Sequence, residues 1–224
     1  MNLKHKKRQE IFRQFIYSDR LKFNEIEKLT KIRSNELAYF LNKLVEESIL
    51  IKQGSYYRLS KAAEKLIPLF GKDISPLPVV LVVCIKENKI LLWKRNKRPY
   101  KNLWSLAGGR ILLNETLPQA SLRILKEKTF IDGKFISTNA VINEKVEENN
   151  EIKHAFILFL TKVQPLTEIK EKTNVKWFNI KNLKPNKVIP SDYWLIQNKL
   201  NSKINIPEET LKENKRKLDI SWSV

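Results

Sequence analysis

The chain contains few of the residues on which several classes of protein depend. Among its 224 residues there are one cysteine, two histidines and five glycines. The single cysteine, Cys84, excludes an intramolecular disulfide, and its position in an apolar run predicts a buried thiol in a reducing compartment. The longest apolar run, LPVVLVVCI, is too short to span a bilayer, and no apolar signal region follows the basic N-terminus. We therefore expect a cytoplasmic protein without a membrane partner.

Positive charge is what the chain has in excess. Its 43 lysines and arginines against 24 acidic residues give a net charge of +19, and 42% hydrophobic residues indicate a globular chain of one or two domains. Residues 1–76 hold 16 basic and 9 acidic residues, and residues 77–200 hold 22 and 11. Both segments are compatible with a polyanionic partner, and the alternative is a solvated, lysine-rich surface.

Residues 1–72 are predicted to form a domain of three helices followed by a two-stranded ribbon. Apolar residues recur at helical spacing in 4–18 and 23–30, and Ser34 is placed to cap a third helix that runs to about Glu47. The segment SILIKQGSYYRLS then predicts two short strands around a Gly-Ser turn. This order resembles the winged helix-turn-helix modules of prokaryotic regulators, in which these parts are the recognition helix and the wing.

The resemblance implies double-stranded DNA as a partner. A helix fits the major groove, where exposed polar side chains meet base edges and phosphates, and basic residues on the ribbon would reach phosphates. The predicted DNA-binding residues are Arg33, Ser34, Asn35, Tyr39, Asn42, Lys43, Lys52 and Arg58. Glu36 and Glu46 lie on the same helix and would oppose DNA locally. Winged helices also act as dimerisation or docking modules, so a homodimer is the alternative use of this domain.

A second domain is predicted over residues 79–200, after a linker at 73–78 that contains serine and proline. Its pattern indicates two strands, an extended stretch, a helix over LPQASLRILKEK and a long hairpin that turns at Asn149-Asn150. The segment NVKWFNI predicts a last strand, and Ser191 is placed to cap a last helix. Residues 201–224 form a polar, weakly patterned tail with room for a short helix.

The segment GGRILLNETLPQASLRILKEKTFI, residues 108–131, joins a glycine pair, a polar loop and a helix. It resembles the box of the Nudix family, in which carboxylates on one helix face hold a pyrophosphate through divalent metal. That box runs Gly, five residues, Glu, seven residues, Arg-Glu, an aliphatic residue, any residue, Glu-Glu, any residue, Gly and an aliphatic residue. The matching positions are Gly109, Glu115, Arg123, Leu125, Glu127 and Ile131. The resemblance implies an α/β fold class, with an N-terminal winged helix-turn-helix followed by a Nudix-type α/β/α sandwich with a mixed sheet.

Two of the three glutamates that bind metal in the family are replaced here, by Ile124 and Lys128. Isoleucine offers no oxygen to Mg²⁺, and a lysine ammonium would repel it. We therefore predict no cofactor and no metal, with Mg²⁺ on Glu127 and Glu115 only if hydrolysis is retained. The family sometimes recruits a distant glutamate, and the substitutes on the hairpin are Glu144, Glu147 and Glu148. Two further departures are Ala107, at a position often held by proline, and Phe130, at the box glycine.

Other features of the family site are retained. Glu115 and Arg123 resemble the pair that ties the loop to the helix by a charge-assisted bond, and with Glu127 they would form the catalytic set of an active enzyme. Lys128 would meet a phosphate directly, unless it pairs with Glu127 or faces solvent. Trp93 and Trp104 flank the presumed cleft and would stack on a base of the ligand or pack in the core. His154 would touch a ligand or be a hydrogen-bonded histidine of a strand. The predicted ligand-binding residues are Arg95, Trp104, Gly108, Gly109, Arg110, Lys128 and His154.

Three hypotheses of function follow from these patterns. The first is a DNA-binding transcriptional regulator with an inactive Nudix domain that senses a nucleotide-like phosphate ligand. Regulators related to the Nudix family pair the same two kinds of module, usually with the Nudix module first, and their ligand is an ADP-ribose-type metabolite. The second is a divergent hydrolase of nucleoside diphosphate derivatives, in which the winged helix serves dimerisation or docking. The third is a protein-interaction scaffold.

Overall fold

The computed structural model of the protein describes residues 3, 5–69, 75–96, 100–167, 171–214 and 217–223. The chain forms two compact units, Met1–Ile74 and Ser75–Val224. Of the predicted linker at 73–78, residues 73 and 74 lie outside the described residues, and Leu77 already begins a strand. None of the helices in the described ranges is long and apolar enough to cross a membrane.

The first unit combines short helices with a small antiparallel sheet. Its elements in chain order are α1 (Lys6–Gln14), β1 (Leu21–Lys22), α2 (Phe23–Thr30), α3 (Ser34–Glu46), β2 (Leu50–Gln53), β3 (Tyr56–Leu59) and α4 (Lys61–Glu64). The three strands lie in the order β1-β3-β2. The sequence predicted the helices and the β2-β3 ribbon, but it missed β1, because two residues are too few to show an alternating pattern.

The core of the first unit is built from the apolar stripe of α3. Leu37, Leu41 and Leu44 are fully buried, and they share one hydrophobic cluster with Ile11 and Phe12 of α1. Burying one face in this way leaves the opposite face of α3 to solvent.

The predicted cap of α3 is wrong. Ser34 is the first residue of the helix, Arg33 holds the N-cap position, and the Ser34 hydroxyl donates to the Glu27 carboxylate instead of accepting from the helix backbone. A residue already inside the helix lacks the extended backbone of an N-cap, so its hydroxyl does not accept from the free N–H groups of the first turn and donates to the carboxylate of α2 instead.

The second unit contains nine strands and two longer helices among its described residues. In chain order they are β4 (Leu77–Lys86), β5 (Lys89–Lys94), β6 (Trp104–Ser105), β7 (Ala107–Arg110), α5 (Leu117–Thr129), β8 (Gly133–Glu148), β9 (Glu151–Pro165), β10 (Val175–Asn179), α6 (Pro190–Asn198), β11 (Glu208–Asn214) and β12 (Lys217–Ser223). The main sheet has the order β10-β5-β4-β9-β8, with β6 paired to β5 and β7 paired to β4. Because β4 and β9 are parallel and their other pairings antiparallel, the sheet is mixed, as predicted.

Side chains of β4 alternate between two hydrophobic clusters on the two faces of the sheet. Val80 and Val82 pack with α5 residues, whereas Leu81 and Val83 pack in the cluster that contains buried residues of α6. The alternation produces the layered α/β arrangement that the sequence predicted. Cys84 belongs to the first cluster, and burial raises the pKa of its thiol to about 12, so the predicted buried thiol is confirmed.

The long hairpin turns at the predicted residues. Asn149 and Asn150 both adopt left-handed backbone conformations, with φ of 54° and 62°, as a two-residue hairpin loop requires. Two other expectations fail. Helix α6 begins at Pro190 with Ile189 at the N-cap, so Ser191 is not its cap. The C-terminal segment forms the antiparallel strand pair β11-β12 rather than a short helix.

Helix α5, which carries the box residues, has well-defined ends. Thr116 and Gln119 form a capping box in which each side chain accepts from the backbone of the other. At the other end Phe130 takes a left-handed conformation with φ of 65°, and its amide donates to the Lys126 carbonyl at 2.8 Å. This is the position at which the family box has glycine, because a residue without Cβ adopts that backbone freely.

We expect Phe130→Gly to be more stable than Phe130→Ala by about 1 kcal/mol, because only glycine removes the left-handed backbone strain. Both changes delete the ring, which is 66% exposed and lies under the Lys172 ammonium, so the comparison isolates the backbone. The measurement is urea unfolding of the two variants beside the wild type. Equal stability of the two variants would contradict the strain argument.

Candidate functional site

A cavity of about 490 Å³ lies in the second unit, lined by residues of the main sheet, α5 and the start of α6. The structure brings several predicted site residues into its wall, namely Arg95, Gly108, Gly109, Arg110, Arg123, Glu127 and Lys128. Two predicted ligand-binding residues are elsewhere. Trp104 packs edge-on against Phe178 with 4.8 Å between ring centroids, and His154 is exposed on β9, stacked on Phe156.

The loop before α5 is tied to the helix by Arg123. The Arg123 guanidinium binds both oxygens of the Glu115 carboxylate, through Nε to one and through Nη2 at 2.8 Å to the other. Nη2 also donates to the Arg110 carbonyl at 2.9 Å, and the Leu112 amide donates to Glu115 at 2.9 Å. The Arg123 hydrogen bonds hold the pKa of Glu115 below its usual value, and the same contact raises the pKa of Arg123. Glu115 is therefore a structural anchor, with both of its oxygens in hydrogen bonds to the loop and the helix.

Ile124 does not face the cavity. Its side chain is fully buried in the hydrophobic cluster between α5 and the sheet. A Cβ on Gly109 would lie 2.9 Å from Ile124 Cγ1, closer than real side chains approach. Ile124 therefore packs directly beneath the glycine strand β7, and Gly109 is required there for that close approach.

The two polar residues that follow on α5 differ in their partners. Glu127 is exposed and accepts from Arg123 Nη1 at 3.2 Å, so it pairs with Arg123 rather than with Lys128. The Lys128 ammonium lies 4.7 Å from the ring centroid of Trp93, a nearly buried residue of β5. Within the described part of the chain Lys128 forms no ion pair, which leaves its positive charge at the cavity wall.

Comparison with known proteins adds to this geometry. The model of the NUDIX domain matches residues 75–198, just over half of the chain. The chain belongs to the Nudix family. A Methanocaldococcus jannaschii protein named ADP-ribose pyrophosphatase is 39% identical over 56 residues, which are 25% of this chain and 33% of that protein. A Caenorhabditis elegans protein with the name of a nudix hydrolase is 29% identical over 103 residues, 46% of this chain and 27% of that protein.

The chain thus spans about a third or less of the length of the curated relatives it matches. Among solved structures, a NUDIX hydrolase from Nitrosomonas europaea is similar, with 19% identity and a TM-score of 0.47 over 55% of this chain and 87% of that one. The Nudix domain predicted from the box and the mixed α/β fold are confirmed by the family match.

The residues present do not fit the Mg²⁺ that Nudix hydrolases use. The first glutamate position of the helix is the buried Ile124, and the last is the cation Lys128, so only Glu127 offers oxygen there. Among the described residues no group of three or more His, Cys, Asp or Glu is placed to hold a metal ion. Of the three possible substitutes on the hairpin, Glu144 lines the cavity, whereas Glu147 and Glu148 are exposed and do not.

Sequence reasoning missed Asp192, a buried acid in the cavity wall of the Nudix domain. Its carboxylate accepts from the Leu106 amide at 2.8 Å, and the residue is 3% exposed. Burial raises its pKa to about 7, Glu144 adds to the rise, and the Leu106 amide and Arg95 oppose it. No sequence signal marks this residue, because an aspartate in the first turn of a helix normally remains in solvent.

The residues predicted to bind DNA lie on exposed parts of the first unit. Asn35, Tyr39 and Asn42 follow one another on a single solvent-facing side of α3, and Tyr39 is 58% exposed. The remaining predicted positions, all exposed except the half-buried Lys43, are Arg33, Ser34, Lys43, Lys52 and Arg58.

The two glutamates expected to oppose DNA both have lysine partners. Lys7 binds Glu36 at 2.5 Å, and Lys43 binds Glu46 at 2.7 Å. The negative charge on this helix is therefore partly compensated, and Lys43 is engaged by its own neighbour. The exposed pairs contribute little to stability, since such pairs are worth about 0–1 kcal/mol.

We expect Asp192→Asn to remove a pH-dependent loss of stability. The folded-state pKa of about 7 lies above the ordinary 3.8, so the unfolded chain loses this proton first and stability falls as pH rises between these values. Over that window the difference amounts to at most about 4 kcal/mol. Urea unfolding at pH 4.5 and pH 8 should show the variant gaining on the wild type at the higher pH.

The matched control is Asp132→Asn, which alters an exposed carboxylate paired with Lys126. Its pH dependence should follow that of the wild type. If Asp192→Asn behaves like this control, the Asp192 carboxyl is ionised at its ordinary pKa and the buried acid plays no part in the stability profile.

Proposed function

We propose that the protein is a DNA-binding transcriptional regulator whose Nudix domain binds a nucleotide-like phosphate ligand without hydrolysing it. The observation that carries the second half of the proposal is the pair of replacements on α5. Ile124 has joined the hydrophobic core, and Lys128 brings a positive charge to the wall of a 490 Å³ cavity. A site that carries its own cation suits an anionic ligand and disfavours a bound metal ion.

The chemistry of the cavity supports a ligand of nucleotide type. Its volume of about 490 Å³ falls in the range of small-molecule sites. Arg110 and Lys128 supply positive charge beside the glycine strand, while Glu144 and Asp192 supply acceptors elsewhere in the same wall. Phosphate oxygens suit the first group, and hydroxyl or amino groups of a ligand suit the second.

DNA binding by the first unit is supported by its element order. The order α1-β1-α2-α3-β2-β3, with the strands in one antiparallel sheet, is consistent with a winged helix-turn-helix domain. In that arrangement α3 enters the major groove, and its exposed face carries Asn35, Tyr39 and Asn42. The basic residues Lys52 and Arg58 on the ribbon would contact phosphates. Operators of such proteins are usually read by dimers, so a homodimer is part of the proposal.

The second candidate function is hydrolysis of nucleoside diphosphate derivatives. It is favoured by the similarity of 56 residues to a protein named ADP-ribose pyrophosphatase. The donor set argues against it, because Ile124 is buried and offers no oxygen and Lys128 is a cation, so Glu127 alone of these three helix positions carries a carboxylate. We therefore prefer ligand binding without hydrolysis as the function of this domain.

We expect Lys128→Ala to weaken binding of ADP-ribose in the absence of metal by about 1–3 kcal/mol, because the ammonium would meet a phosphate oxygen in a partly desolvated site. The measurement is isothermal titration calorimetry of the full chain in EDTA. Lys126→Ala is the matched control, since Lys126 is an exposed lysine on the same helix that pairs with Asp132. It should leave the affinity unchanged.

Turnover is measured on the same preparation with Mg²⁺ or Mn²⁺. We expect negligible hydrolysis of ADP-ribose and nucleoside diphosphate sugars by the wild type. Robust metal-dependent hydrolysis would overturn the binding-only proposal and direct attention to Glu127 and Glu144 as metal ligands. Equal affinity of Lys128→Ala and the wild type would instead remove Lys128 from the ligand site.

We expect Asn35→Ala and Tyr39→Ala each to lower affinity for a selected duplex by about 1–3 kcal/mol, because base contacts are lost. Lys52→Ala should weaken binding to all duplexes and flatten the salt dependence, because one phosphate contact is lost. The duplex is obtained by selection from a random library with the full chain, and affinities are measured by fluorescence anisotropy across salt concentrations.

The control for these variants is Lys6→Ala, which removes an exposed positive charge from α1, outside the proposed face. It should reproduce the wild-type affinity. If the full chain shows no salt-dependent binding to any duplex, the regulator hypothesis is lost and the first unit is left with dimerisation or docking.

A further inference from the structure

Trp93 gives the Lys128 ammonium a defined position in the cavity. The indole belongs to β5, is 8% exposed, and lies with its ring centroid 4.7 Å from Lys128 Nζ. A cation over an indole face is attracted by the negative charge of the π system, and more strongly where water is largely excluded. Because this attraction does not neutralise the lysine, its charge remains available to a ligand.

The indole is itself held in place by the peptide of Leu106. Its Nε1–H donates to the Leu106 carbonyl at 3.0 Å, and the Ser105 hydroxyl donates to the same oxygen at 2.6 Å. The N–H of Leu106, which belongs to the preceding peptide group, donates to the buried Asp192 carboxylate at 2.8 Å. Helix α6 is thereby connected to the tryptophan through one fully buried residue, and the ring has little freedom to rotate.

Lys128 and Arg123 are both cations of α5 in the cavity wall, but their charges have different partners. The guanidinium of Arg123 is bound to the carboxylates of Glu115 and Glu127, so its charge is compensated within the protein. The Lys128 ammonium rests on an aromatic face instead. An anion that enters the cavity finds this charge already ordered.

We propose that Trp93 is a positioning residue that holds the Lys128 ammonium for a phosphate group of the ligand, in the place where other Nudix domains offer a carboxylate to metal. The inference rests on the proposed function, since it assumes that this cavity binds phosphate. Its physical basis is entropic. A lysine loses much rotamer freedom when it binds an anion, and an indole that already restricts the side chain reduces that loss.

The experiment titrates the full chain with inorganic pyrophosphate in EDTA by calorimetry. Trp93→Leu removes the aromatic face, and we expect binding about three- to tenfold weaker than in the wild type. Trp93→Phe keeps an aromatic face without the indole N–H, so we expect it to retain most of the affinity. Trp104→Phe is the matched control, because Trp104 packs on Phe178 outside the cavity, and it should bind as the wild type does.

A double-mutant cycle separates positioning from general damage to the fold. If Trp93 acts through Lys128, Trp93→Leu should have no further effect on pyrophosphate binding in a Lys128→Ala background. An additional loss of the same size in that background would overturn the proposal, as would unchanged binding by Trp93→Leu in the wild-type background.

A measurement on the wild type tests the proposal even if the Trp93→Leu variant does not fold. The indole N–H signal of Trp93, assigned by its absence in Trp93→Phe, should shift in ¹H–¹⁵N spectra when pyrophosphate is added, and the Trp104 signal should not. A stationary Trp93 signal at saturation overturns the positioning role alone. If neither pyrophosphate nor ADP-ribose binds the wild type at all, the proposed function fails, and the inference fails with it.

Discussion

The Arg123 guanidinium joins three parts of the Nudix domain: the Glu115 carboxylate in the loop, the Arg110 carbonyl at the end of β7, and the Glu127 carboxylate one turn further along α5. With only a quarter of the Arg123 side chain and less of Glu115 exposed, the charge-assisted bond between these two is less weakened by water than a surface pair is. The Arg123 hydrogen bonds connect the end of the glycine strand and the loop to the helix. The cavity wall on this side, which contains Arg110, Arg123 and Lys128, is built on that connection.

The family pair of Arg123 and Glu115 is retained, but Ile124 and Lys128 on the same helix replace glutamates of the family box. Ile124 and Lys128 are one helical turn apart, yet one enters the core beneath Gly109 and the other reaches the cavity beside Trp93. A helix position that lies at the boundary between core and cavity accepts either environment, and the side chain decides which one it joins. The result is a site whose positive charge comes from the protein itself, which is the basis for expecting ligand binding without metal.

In the first unit, the small hydrophobic core covers only one face of α3, so the opposite face is exposed to solvent. Leu37, Leu41 and Leu44 bury one side of α3, so Asn35 and Tyr39 are left on the other. An exposed polar helix face suits DNA or a protein partner. The two glutamates of this helix are paired with Lys7 and Lys43, which reduces the negative charge that would oppose DNA.

Local patterns in the sequence by themselves determined the helices, the long hairpin with its Asn149-Asn150 turn, and the Nudix loop and helix, because these depend on periodicity, turn chemistry and residues close together in the chain. The tertiary structure alone decided what each site residue contacts. Asp192 is separated from Leu106 by most of the domain, and only folding buries its carboxylate against that amide. Trp104 and Trp93 are alike as sequence signals, but the sheet directs one to Phe178 and the other beneath Lys128. Such pairings arise from packing between distant segments, which a single sequence does not specify.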